Sequence, residues 1–77
     1  MTLPRRVRFT EYAQLRMHQR DILEEEVRAM LDRPQSAHRR RPDGRSEVNG
    51  KLPRGQLLVV YRRRKRDILV INAMWEL

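Results

Sequence analysis

The stretch Thr10–Val27, TEYAQLRMHQRDILEEEV, decides the fold. Ala13 and Met17 follow Phe9 at four-residue steps and predict one buried edge of a helix over Glu11–Arg20. Thr10 is placed to cap that helix. Asp21 tolerates a turn conformation and ends it. A second helix is predicted over Glu24–Asp32, with Leu23, Val27, Met30 and Leu31 as its buried stripe. Glu24, Glu25 and Glu26 fall in its first turn, where carboxylates oppose the positive end of the helix dipole. Pro34 stops it. The centre of the fold is therefore a helical hairpin.

Outward from the hairpin, Arg5–Phe9 alternates, with Val7 and Phe9 apolar between arginines, and predicts a short strand. On the other side Gln35–Gly44 is polar and basic and reads as loop, with Pro-Asp-Gly as a turn signal. A short strand over Arg45–Asn49 has Val48 as its single apolar residue, and Asn49–Gly55 reads as a turn or small loop. Gln56–Tyr61, QLLVVY, is apolar on both faces and predicts a central strand. Arg62–Asp67 forms a charged hairpin turn, and Ile68–Trp75 supplies the partner strand. The expected class is α+β: one domain over residues 1–77, with a helical hairpin packed on a small antiparallel sheet.

Composition narrows the function. The 77 residues hold 18 Lys and Arg against 10 Asp and Glu, for a net charge of +8. Residues 1–20 carry +4, residues 21–36 carry −3 and residues 37–77 carry +7. Two basic segments flanking an acidic one predict separate basic and acidic faces, and a basic face favours a polyanion such as RNA. The rival reading is a solubilising arginine-rich surface. With no cysteine and two histidines, the sequence offers neither a disulfide nor a metal site, and no cofactor motif is present. No apolar run approaches the ~20 residues of a membrane span, and no apolar stretch follows Arg5, Arg6 and Arg8 as in a signal peptide. The reading is a cytoplasmic protein.

The candidate site is a stripe. Tyr12, Arg16 and Arg20 recur at steps of four along the first helix and line up on one side. Arginine's planar fork suits phosphate, so Arg16 and Arg20 are candidates to stabilise a charged phosphorane. Tyr12 is a candidate to stack a base or donate a proton. Arg45, Lys51, Arg54, Tyr61 and Arg62 are candidates to complete a nucleic-acid surface from the sheet side. The structural alternative has Arg16 and Arg20 pairing with Glu24, Glu25 or Asp67, and Tyr12 as core edge. His18 lies off the stripe and His38 sits in a basic loop, so both read as inert. Trp75 reads as core or a dimer contact.

Phe9–Pro34 resembles the opening of the bacterial domain of unknown function 4258 proteins, through Thr10, Ala13, Arg16, Met17, Arg20, Ile22, Val27 and Pro34. The resemblance runs from about Arg5 to Trp75. It departs at Tyr12, where the family has His, at Asp21, where it has Gly, and at Leu23, where it has a capping Ser. The family looks like a compact relative of the RelE/ParE toxin fold. That implies a link to RNA-cleaving or topoisomerase-poisoning toxins, with metal-free RNA cleavage as one form. The loss of the histidine favours a non-catalytic module for nucleic acid or for an acidic, antitoxin-like protein. The apolar end of the chain, ILVINAMWEL, leaves a homodimer through a sheet edge as a third expectation.

Overall fold

A computed structural model describes residues 6–77. The strand β1 spans Arg6–Phe9, with Arg5 outside the described residues. Two helices follow, α1 over Glu11–Arg20 and α2 over Glu24–Leu31. After a single 3₁₀ turn at Gln35–Ala37 come β2 (His38–Arg40), β3 (Ser46–Leu52), β4 (Gly55–Arg63) and β5 (Asp67–Glu76). The strands form one sheet in the order β1-β5-β4-β3-β2. The described residues thus form an α+β fold, with two helices and five strands.

The helical hairpin forms for local reasons. The Thr10 hydroxyl accepts from the Ala13 N–H at 2.9 Å. Asp21 adopts the left-handed conformation (φ 55°, ψ 49°), which brings its N–H back to the last turn of α1. Asparagine and aspartate enter that region at little cost, so an acid stands where glycine is usual. Leu23 starts α2 without a side-chain cap, and Glu26 compensates by accepting from the Leu23 N–H at 2.9 Å. Leu23 was expected in the buried stripe, yet it is 46% exposed. The turn at Asp21 rotates Ile22 inward instead, to 5% exposure.

Ala13, Met17, Val27 and Met30 from the helices and Ile22 from the turn between them meet Val48, Leu57, Val59, Tyr61, Val70 and Ala73 from the sheet. Burial of each large side chain in this layer stabilises the fold by about 1.5–3 kcal/mol. Both helices lie on this one face.

The sheet departs from the expected antiparallel arrangement at one edge. β1 runs parallel to β5, pairing Val7 with Ile68 and Phe9 with Val70. β2 occupies part of what read as loop, because His38 and Arg40 lie opposite Val48 and Ser46 on β3. β3 extends through Leu52, so the expected loop at Asn49–Gly55 shrinks to the two residues Pro53 and Arg54. Gly55, at φ 149°, closes that turn in a conformation open to glycine. A bulge between Val60 and Tyr61 leaves Ile71 without a partner on β4.

Candidate nucleic-acid interface

The Tyr12–Arg16–Arg20 stripe does not converge on one site. Tyr12 is 52% exposed, so it is not core edge. The Arg16 guanidinium lies over its ring at 5.7 Å and donates to Gln19 Oε1 at 3.2 Å. Arg20 turns the other way. Its Nη1 donates to Asn72 Oδ1 at 3.0 Å and to the Ala73 carbonyl at 2.8 Å, while Trp75 Nε1 donates to the Arg20 carbonyl at 2.8 Å. These three bonds fasten the end of α1 to β5. The Nη1 donors of Arg20 are thus spent on the fold. The expected ion pairs are also absent, since Glu24 faces Arg28 at 3.6 Å and Asp67 is taken by Arg64 and Arg8.

Arg54 is engaged with the fold in the same way. From the β3–β4 turn it donates to Glu26 Oε1 and Oε2 at 2.8 and 2.9 Å, to Asp21 Oδ2 at 3.0 Å, and to the Asp21 carbonyl. Its guanidinium also lies 5.4 Å from the Trp75 ring. The Arg54 bonds hold the Glu26 carboxyl below the usual carboxylate range and raise Arg54 further above its ordinary value. Glu26 therefore contributes stability above its unfolded pKa, and that contribution is lost as pH falls through its lower folded value. Thermal melts of Glu26→Gln should lie below wild type at neutral pH and converge with it in acid. Parallel curves at all pH values would show that the pair does not couple to folding. Of the remaining candidates, Arg45 sits 3.7 Å from Asp43, and Lys51 is exposed with its carbonyl accepting from Arg33 at 2.7 Å.

The basic charge gathers at the opposite end of the sheet. Ser46 pairs with Tyr61, Arg63 with Ile68, and Arg6 with Asp67, so the start of β1, the β2–β3 turn and the β4–β5 turn share one end. Arg40, Arg41, Arg45, Arg62, Arg63, Arg64, Lys65 and Arg66 come from the two turns and their flanks. The local acids are used up: Glu47 by Arg41, Asp43 by Arg45, and Asp67 by Arg64 and Arg8. Among the described residues, Arg40, Arg62, Arg63 and Arg66 have no acidic partner.

On the helix side this end opens into a cleft of about 270 Å³, lined by Gln35, His38, Arg39, Arg40, Gly44, Ser46, Tyr61 and Arg63. The register places His38, Arg40, Ser46, Tyr61 and Arg63 on that same side of the sheet. Tyr61 forms the floor at 2% exposure, so it is not open for base stacking. Its hydroxyl lies 2.6 Å from His38 Nδ1, and His38 Nε2 lies 3.0 Å from the Arg33 carbonyl. A carbonyl only accepts, so Nε2 carries the hydrogen, and in the neutral ring Nδ1 accepts from the tyrosine. His38 thus pins β2 to the segment after α2 and to the core. The sequence reading passed over it, because its partner stands 23 positions away and no local pattern links them.

No group of three His, Cys, Asp or Glu side chains among the described residues is arranged to hold a metal ion. None of their helices is long and apolar enough to cross a membrane. Compared with protein-family models, curated proteins and solved structures, the chain has no match, so its own geometry carries the functional reading.

Proposed function

We propose that the protein binds single-stranded RNA at the basic end of its sheet. The observation that carries this reading is the set of unpaired guanidiniums, with Arg40 and Arg63 lining one cleft. A guanidinium without an acidic partner is available to take phosphate bidentately. The neighbouring Ser46 and Gln35 supply polar groups of the kind that meet bases and 2′-hydroxyls. The cleft is too small to admit a duplex, which favours a splayed single strand. Arg62 and Arg45 extend the surface outside the cleft, whereas Arg54 and Lys51 stand at the far end.

The order of strand, helical hairpin and sheet is in keeping with a compact RelE/ParE-like toxin. Binding is favoured over strand cleavage because both nitrogens of His38 are engaged and Arg20 is committed to β5. Among the described residues, no histidine or carboxylate with a free atom then lines the cleft.

The test is fluorescence anisotropy of labelled oligouridine over a salt series, with a gel of the RNA afterwards. Three or four phosphate contacts give a log–log slope of about −2 to −3 for a single strand. That slope with intact RNA is the expected result. Absence of binding at low salt would remove the proposal, and shortened RNA in the presence of chelator would replace it with a metal-free ribonuclease.

A further inference from the structure

The helix-free face of the sheet has the composition of a covered surface. Leu57, Val59 and Tyr61 point to the helices, so Leu58 and Val60 point away from them. Met74 lies directly opposite Leu58, and Leu69 opposite Arg62. Leu58, Leu69 and Met74 are half-buried, and none of them joins the core cluster under the helices. A sheet with one solvated face ordinarily alternates apolar with polar residues. Here β4 is apolar on both sides, while helices cover only one.

Among the described residues, the rim of this apolar strip carries three cations against one carboxylate outside an ion pair, Glu76, which stands opposite Gln56 at the Lys51 end. Arg62 stands at one end, Lys51 at the other and Arg39 at the margin, and no acidic side chain among the described residues pairs with any of the three. Glu47 and Asp67, the acids nearest the basic end, are already held by Arg41 and Arg64. A second copy of the chain would bring like rims together, which costs free energy. RNA is the poorer occupant, because the middle of this face is aliphatic and offers a phosphate neither a cation nor a polar edge. Phe9, Tyr61 and Trp75 pack toward the helices, and Tyr12 lies on α1.

We infer that this face docks an acidic amphipathic helix of a partner protein. The partner's apolar stripe covers Leu58, Leu69 and Met74, and its carboxylates meet Lys51, Arg39 and Arg62. The apolar strip lies on the side of the sheet away from the cleft, so the inference stands without the RNA reading, and the two share only Arg39 and Arg62 at the margin.

The probe is a fluorescein-labelled peptide of about four helical turns. It carries Leu at i, i+3, i+4 and i+7 spacing with Glu at the remaining positions. A scrambled isomer of identical composition is the control. The expected result is saturable binding of the patterned peptide, at least about tenfold tighter than the isomer. Met74→Lys should weaken it about tenfold although it adds a favourable charge, because the apolar contact is lost. Lys51→Glu, an exposed change that spares the fold, should weaken it as well.

Equal binding of the two peptides, or no binding of either, would overturn the inference. So would unchanged affinity in Met74→Lys with an intact thermal melt. If Met74→Lys instead abolished RNA binding, or split a dimer seen in sedimentation, the face would belong to RNA or to a second copy.

Discussion

Met30→Ala is expected to leave a substantial fraction of the protein unfolded at physiological temperature. Met30 is fully buried beneath α2, in the layer that joins the helices to β3 and β4. Truncation of a buried methionine to alanine costs about 2–5 kcal/mol, through lost transfer energy and the cavity left behind. A domain of this size holds only about 3–5 kcal/mol in total. The site has little means of closing up. The residue facing Met30 across the interface is Gly50, which has no side chain, and a Cβ built there would stand 3.0 Å from Met30 Cε. Urea denaturation followed by circular dichroism should show the midpoint falling with the slope unchanged. A loss below about 1 kcal/mol would mean that the helix layer relaxes into the space.

The second large effect separates the two groups of arginines. Arg40→Ala combined with Arg63→Ala should reduce oligouridine affinity by about a hundredfold or more, since each charge-assisted hydrogen bond lost is worth about 1.5–3 kcal/mol. The log–log salt slope should become shallower by about 1.4, or 0.7 for each contact. The melting temperature should hold, because neither guanidinium has an acidic partner in the fold. Arg16→Ala combined with Arg20→Ala should do the reverse. It removes the bonds from Arg20 to Asn72 and Ala73 and lowers the melting temperature, with RNA affinity of the folded fraction retained. Affinity lost in the second pair and kept in the first would return the site to α1.

Local signals carried the helical hairpin. Thr10, Asp21 and Pro34 each act within a few residues, and the predicted bounds of α1 coincide with Glu11–Arg20. Gln56–Tyr61 and Ile68–Trp75 were legible as strands from their apolar runs. β2 was not, since His38–Arg40 has no apolar residue and exists only through its pairing with β3. The parallel pairing of β1 was hidden for a similar reason, because four alternating residues fit a sheet edge in either direction. Among the site residues, the charge of the second half was plain, but its distribution was not. Whether an arginine meets an acid depends on which turn lies opposite. Arg54 reaches Glu26 across 28 positions and Arg20 reaches Asn72 across 52. Periodicity along one helix could place Arg16 and Arg20 on a common side, yet not show that one faces its own tyrosine and the other faces β5.

The pairing of β1 with β5 also bears on the order in which the molecule folds. Arg6 and Asp67 lie 61 residues apart and meet as neighbours in the sheet. Closing so long a loop carries an entropic cost that the short β3–β4 and β4–β5 turns avoid. The three-stranded meander and the helical hairpin therefore form from nearby contacts, and β1 docks afterwards. In kinetic terms, substitutions in β1 should accelerate unfolding and leave refolding rates nearly unchanged. In the interval before docking, the β5 backbone from Asp67 to Val70 stands open along its edge, in hydrogen-bonding register with whatever strand arrives first.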